Sequence, residues 1–368
     1  MNILILGGTG AMGIHVVSIL ASQGHKIDVT SRSDKIGRAN VCYIKGNAHN
    51  IKFVKSILSR IKYDAIIDFM TYTTLDFKNR FSLFLDNTKQ YFFLSTARVY
   101  ANSPIISETS ALLLDVIKDK EYLSTDEYAL CKARQENILR KSGKNNFTII
   151  RPYMTYSENR LQLGVLDKET FLQRALERKT IVVPKDIMSH TVTLTYGYDV
   201  AKCITMLIGN PKAFGETFHI TTNDTITWSA VLGIYLDVFE KKTGFRPKVK
   251  YIDECPQRWN YIGRYQVLYD RLYDRKFTNK KLLSVIGSYN FVEPTEGLAK
   301  CISSFLDNPI FTWRDCVIEG THDFYTKEFT PFSKFNGWHE KLRYIIYRIM
   351  PEFWAKMVLN REIKNHKK

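Results

Sequence analysis

The sequence predicts an α/β fold built on a doubly wound parallel sheet, with a smaller interleaved α+β lobe and a C-terminal extension. Three observations predict it. Short apolar runs bounded by turn residues recur along the first 150 residues, segments of helical spacing separate most of them, and the first run leads straight into a glycine-rich turn. Strands that alternate with helices lie parallel, because a crossover long enough to hold a helix returns the chain in the same direction.

Residues 3–6 (Ile-Leu-Ile-Leu) form the first strand, apolar on both faces as a buried parallel strand must be. The turn Gly7-Gly8-Thr9-Gly10-Ala11-Met12-Gly13 follows, after which Met12, Val16, Val17, Ile19 and Leu20 take helical spacing. Residues 27–30, 41–44, 65–69, 91–94 and 147–150 continue the strand series. Beyond about residue 157 the alternation loosens: residues 171–179, 199–209 and 228–244 read as helices, interrupted by short strands at 181–183 and 216–220. This sets the expected domains as 1–156, with 190–212 returning to it, 157–306 as a second lobe, and 307–368 as a basic, aromatic appendage in which Pro351 divides residues 343–359 into two short helical segments.

The glycine turn carries the first chemistry. Gly7 permits the tight turn, Gly10 lets a diphosphate approach the backbone, and Gly13 lets helix and strand pack closely. A helix start with free N–H groups attracts phosphate, so Thr9, Ala11 and Met12 join the three glycines as expected contacts of a dinucleotide in a Rossmann-type fold.

Two further features lie downstream. Tyr128-Ala129-Leu130-Cys131-Lys132 sets a phenol and an ammonium four residues apart, on one face of a helix. A fixed cation stabilises a phenolate, and a tyrosine so tuned exchanges protons with an alcohol near neutral pH. Ser95 and Thr96 end the strand at 91–94, where a ligand-facing hydroxyl belongs.

Together with Arg151-Pro152 and with Tyr198-Asp199-Val200-Ala201, these motifs resemble the extended short-chain dehydrogenase/reductase family, nearest to the NAD-dependent epimerase/dehydratase group that modifies nucleotide sugars. The resemblance covers about residues 1 to 305. It implies that Tyr128 is the general acid/base, that Lys132 binds the nicotinamide ribose, and that Thr96 hydrogen-bonds the reacting oxygen with Ser95 assisting and touching the cofactor. Where dehydratases of the family carry an Asp-Glu pair after the strand-end threonine, this chain has Ala97 and Arg98, which exchange no protons, so 4,6-dehydration is disfavoured against 4-epimerisation or keto-sugar reduction.

Cofactor choice between NADP and NAD turns on the second strand's end. NAD-binding members place a carboxylate there, whereas this chain reads Ser31-Arg32-Ser33, and an arginine suits a 2′-phosphate, so the expectation leans to NADP. Asp28 or Asp34, displaced toward the ribose, would restore NAD. Asn47, after Gly46, stands where the family contacts adenine, and Phe69 and Met70 line the adenosine side. For the substrate's diphosphate, Arg160 is the first candidate, ahead of Arg258, Arg264, Arg271 and Arg275.

The net charge of +16 admits an anionic substrate, an anionic membrane surface or nucleic acid. No nucleic-acid-binding motif supports the last. The aromatic and basic residues at 343–359 suit peripheral contact with an anionic membrane. No apolar run is long enough to span a bilayer and the chain opens inside its first strand, so a cytoplasmic enzyme of surface-polysaccharide biosynthesis, dimeric as its relatives commonly are, is expected. The six scattered cysteines predict reduced thiols and no metal. Set against this reading are a non-catalytic superfamily member that senses NADP or binds RNA, and a reductase of a small non-sugar carbonyl.

Overall fold

The structure is a computed structural model that describes residues 1–260 and 263–366, with the backbone alone for 362–366; the last two lysines of the basic tail lie outside the described residues. It divides into two compact units, one comprising Met1–Ser157, Thr193–Asp224 and Lys276–Glu293, the other Glu158–Val192, Thr225–Arg275 and Pro294–Lys368.

The first unit is a seven-stranded sheet with helices on both faces. Its strands are β1 (Asn2–Leu6), β2 (Lys26–Ser31), β3 (Val41–Lys45), β4 (Tyr63–Asp68), β5 (Thr88–Leu94), β6 (Phe147–Pro152) and β7 (Glu216–Ile220). They run in the order β7-β6-β5-β4-β1-β2-β3, every neighbouring pair parallel. The order reverses between β1 and β4, so a crevice opens beyond the carboxyl ends of those two strands.

Alternation along the strands sorts the core into two layers. Ile3 and Ile5 of β1, with Ile67 and Phe92, pack against Val16 and Leu20 of α1 (Gly13–Ser22) on one face. Leu4, Leu6, Ile66, Tyr91 and Phe93 meet Val54 and Ile57 of α2 (Ile51–Leu58) and Leu139 of α3 (Tyr128–Arg140) on the other. Full burial of each such aliphatic side chain contributes roughly 1.5–3 kcal/mol. The strand at 216–220, expected in the second lobe, instead extends this sheet, because its apolar residues Phe218 and Ile220 complete the α1 layer. The return of the chain accordingly runs to Asp224, and Lys276–Glu293 returns as well. Helix α4 (Gly197–Leu207) lies beside α1 in this unit.

The second unit holds α5 (Trp228–Thr243), α6 (Pro294–Asp307), α7 (Cys316–Thr326), α8 (Gly337–Ile349) and α9 (Pro351–His366). Gly244, at φ 75°, closes α5, a left-handed conformation that glycine adopts freely. Pro351 does divide the terminal helices, occupying the first position of α9 where its missing N–H costs nothing. These segments are integral to the unit. Arg174 donates to Glu319 and Asp323 at 2.8 Å each, Lys179 donates to Glu319 at 2.7 Å, and the Tyr344 hydroxyl donates to Asp323 at 2.7 Å. A buried arginine must find such partners, and here they come from the last sixty residues.

Candidate active site

The site is built at the sheet's reversal point. Gly7 leaves β1 at φ 72°, and its N–H donates to the Thr30 hydroxyl at 3.1 Å, tying the turn to the end of β2. A side-chain carbon on Gly7 would sit 3.0 Å from the Met70 sulfur, and one on Gly13 only 2.7 Å from the Gly8 backbone. Only a bare backbone fits at Gly13, which lets α1 begin directly behind the turn. One on Gly10 would meet no protein atom within 4 Å, so that side of the turn is open. Helix α1 starts at Gly13 without a side-chain cap, leaving its positive end to whatever enters. Gly197 closes the turn from behind, its own Cβ position 3.0 Å from the Ala11 carbonyl oxygen.

At the end of β4 the backbone turns through Phe69 and Met70. The Asp68 carboxyl is buried and accepts from the Met70 N–H at 2.9 Å and the Tyr91 hydroxyl at 2.8 Å. Burial pushes it up to about 6, against the pull of those donors and of Lys132. Lys132, one turn into α3, is also buried; its ammonium donates to the Met70 carbonyl at 3.4 Å and lies 4.5 Å from the centre of the Phe93 ring. Burial lowers it to about 8, with Asp68 working in the opposite direction. Met70 therefore touches both the glycine turn and the lysine.

Tyr128 opens α3 and is 38% exposed. The Arg98 guanidinium carbon stands 5.6 Å from its ring centre and is held there by Glu127, which accepts from Arg98 at 2.7 Å while capping α3 through the Ala129 N–H. Thr96 is buried at the end of β5, and its hydroxyl oxygen accepts from the Arg98 N–H at 3.2 Å, capping the short helical turn Ala97–Val99. Ser95 faces elsewhere: its hydroxyl donates to the buried Glu136 carboxylate, which also takes two bonds from Arg151 and one from Arg140. Burial works to raise Glu136, but Arg151 overrides it and holds the carboxyl below its usual range. Glu136 belongs to none of the sequence motifs, and its spacing of four from Lys132, on one face of α3, is the signal that points to it.

The second strand's end carries an exposed Arg32 with no ion-pair partner among the described residues. The two nearby carboxylates are engaged, Asp28 accepting from the Tyr63 hydroxyl at 2.6 Å and Asp34 pairing with Lys45 at 2.5 Å. The Gly46 N–H donates to the Ser31 carbonyl, setting the exposed Asn47 beside the same strand end, where its side-chain oxygen caps the His49 N–H. In the second unit Arg160 is exposed, whereas Arg258 pairs with Asp186 at 2.6 Å and Arg271 and Arg275 both pair with Asp270. No cluster of potential metal ligands occurs among the described residues.

Solved structures share this architecture. The chain is similar to the UDP-glucose 4-epimerase of Bifidobacterium longum in complex with NAD+ and UDP, with a TM-score of 0.64 and 15% identity over 84% of this chain and 99% of that one. It resembles to the same degree the Bordetella bronchiseptica enzyme WbmH in complex with NAD+, with TM-score 0.64, 15% identity, and coverage of 84% and 99%. In sequence it is 25% identical over 245 residues to the chloroplast stem-loop binding protein of 41 kDa b of Arabidopsis thaliana, spanning 62% of this chain and 61% of that protein's length. Residues 1–254 match the RmlD substrate binding domain family. The chain belongs to that family, within the NAD-dependent epimerase/dehydratase group of the extended short-chain dehydrogenases/reductases.

Proposed function

We propose that this protein is an NAD(P)-dependent enzyme acting on a nucleotide-activated sugar at one carbinol or keto centre, as a 4-epimerase or keto-sugar reductase. The observation that carries the reading is the buried Lys132 ammonium at the Met70 carbonyl, beside the glycine turn. A structural lysine seldom sits 2% exposed without a carboxylate in direct contact, because desolvating the cation costs several kcal/mol. The partner we assign to it is a nicotinamide ribose.

The residues fit a dinucleotide: a turn that excludes side chains at Gly7 and Gly13, an open face at Gly10, and an uncapped helix start. When bound, the nicotinamide supplies the hydride acceptor or donor. Gly7, Thr9, Gly10, Ala11, Met12 and Gly13 hold its diphosphate, Asn47, Phe69 and Met70 flank the adenosine, and Arg32 meets a 2′-phosphate, which favours NADP. Lys132 orients the ribose and lends its charge to Tyr128, which takes up or returns the hydroxyl proton of the sugar. Thr96 donates its hydroxyl proton to the reacting oxygen, while Arg160 pairs with the substrate's diphosphate. Ser95 acts through Glu136 in setting α3. Ala97 and the Glu127-bound Arg98 offer no proton exchange, so loss of water is not part of the reaction. The first unit is the cofactor domain and the second the substrate domain.

Mass spectrometry of the nucleotide released on denaturing freshly purified protein tests the cofactor. NADP, or NAD, at near-stoichiometric amounts supports the reading; turnover of UDP- and dTDP-sugars that survives in Tyr128→Phe would overturn it.

A second reading, binding of RNA stem-loops without catalysis, is favoured by the chloroplast relative and by the net charge of +16. Retention of a stem-loop at 150 mM salt with no dependence on Tyr128 would support it.

We also place the protein at an anionic membrane surface in the cell. Trp338, Leu342, Ile349, Phe353 and Met357 are exposed on α8 and α9, and residues 334–368 carry nine Lys and Arg against three Glu. No helix among the described residues is long and apolar enough to cross a membrane. Full-length protein should sediment with phosphatidylglycerol vesicles, and Trp338→Ser with Phe353→Ser should abolish it.

A further inference from the structure

The second unit contains a cavity of about 460 Å³ enclosed by α7, α8, α9 and the short turn Pro256–Trp259. Nothing in the proposed reaction uses it. Its volume falls within the range of small-molecule sites, and its walls are mostly apolar or aromatic, with Trp259, Ile318, Tyr325 and Tyr347 among them.

Its polar lining includes the carboxylates Asp315 and Glu352, and two further polar groups distinguish it from a packing defect. His322 is 3% exposed and lines the cavity, and its Nδ1 has no hydrogen-bond partner among the described residues. Buried polar atoms are nearly always paired, so an orphaned imidazole nitrogen facing an open volume marks a place where a partner is missing. Burial lowers this histidine to about 3, so it is neutral and offers one donor and one acceptor nitrogen. Arg343 also lines the cavity and has no carboxylate partner among the described residues. Its guanidinium cannot discharge, and its planar fork matches a carboxylate.

We infer that this cavity is a binding site for a small aromatic carboxylate bearing a second hydrogen-bonding group. The carboxylate pairs with Arg343, the ring stacks among Trp259, Tyr325 and Tyr347, and the second group meets the His322 nitrogen. The cavity lies within the second unit, and the inference stands independently of the proposed reaction.

The probe is 6-hydroxy-2-naphthoate, titrated calorimetrically into full-length protein. Saturable binding with Kd below about 100 μM is expected. 2-Naphthol, lacking the carboxylate, and 2-naphthoate, lacking the hydroxyl, should each bind at least fivefold more weakly. Arg343→Gln, at an exposed position, should weaken 6-hydroxy-2-naphthoate about tenfold and leave 2-naphthol unchanged, since only the former offers the guanidinium a carboxylate. Ala355→Trp, which fills the cavity, should abolish binding while thermal unfolding shows the fold retained. Absence of saturable binding, or binding indifferent to both Arg343→Gln and Ala355→Trp, overturns the proposal.

Discussion

The Lys132 ammonium donates to the Met70 carbonyl oxygen, and the Met70 sulfur stands against the one position on Gly7 where a side chain would begin. At this one methionine the turn after β1, the end of β4 and the second turn of α3 come together. Burial sets the protonation of the lysine and of its neighbour Asp68 against each other, lowering Lys132 to about 8 and raising Asp68 to about 6. If turnover needs the cationic lysine, activity falls as pH rises through about 8. Asp68→Asn removes the charge that favours the ammonium, so the alkaline limb should move to lower pH by about one unit. A pH profile of kcat for both proteins reads this directly. Linkage gives a second sign: between about 8 and 10.4 the unfolded chain holds the Lys132 proton more tightly, so stability from this group rises with pH across that window.

Substitutions in the glycine turn separate folding from binding. Gly13→Ala drives a methyl into the Gly8 backbone at 2.7 Å, with no flexible side chain to yield. It should lose about 2 kcal/mol or more of stability and all nucleotide binding. Gly10→Ala meets no protein atom within 4 Å and should unfold within about 0.5 kcal/mol of the parent. Its loss should fall on the nucleotide, at least tenfold in Kd, measured by fluorescence titration with NADPH.

The second unit depends on a buried ionic cluster. Glu319 is held at about 2: burial opposes ionisation, but Arg174 and Lys179 outweigh it. Its folded value lies below the unfolded one near 4.3, so its contribution is complete above that pH and is lost as pH falls toward 2. Arg174→Met leaves Glu319 and Asp323 to share Lys179 and should cost about 3–5 kcal/mol, read as a drop in the urea midpoint at pH 7. Glu319→Gln should lose less, and its deficit should vanish toward pH 2.

The parallel sheet was legible in the sequence because each of its first six strands is a short apolar run next to a turn, and the glycines mark one end of the first. What escaped was set by partners distant in the chain. The segment 216–220 reads as an isolated strand until its pairing with β6 is known, 65 or more residues away, as Glu216 opposite Thr148 shows. The terminal helices look like an appendage because the residues that bind them, Arg174 and Lys179, are two ordinary basic residues when read in sequence. Ser95 illustrates the converse within the site. A strand-end hydroxyl beside Thr96 reads as ligand-facing, yet adjacent residues on a strand point to opposite faces, and Ser95 turns inward to Glu136.

Arg32 bears on cofactor choice by elimination as well as by charge. The carboxylates that would select a ribose 2′-hydroxyl are both engaged, Asp28 with Tyr63 and Asp34 with Lys45, while Arg32 is exposed and unpaired among the described residues. The Asp34 pair is largely exposed and worth at most about 1 kcal/mol, so it does not by itself prevent Asp34 from turning toward a ribose. The decisive comparison is therefore between two variants. Arg32→Ala should weaken NADPH by about tenfold or more and leave NADH unchanged if Arg32 selects, because a guanidinium would pair with the 2′-phosphate that NADH lacks. Asp34→Ala should leave both unchanged if Arg32 alone selects, whereas a loss of NADH affinity confined to this variant would make Asp34 the ribose ligand and the protein an NAD enzyme. Dissociation constants for both nucleotides, measured at one ionic strength because exposed charges are screened, distinguish the two.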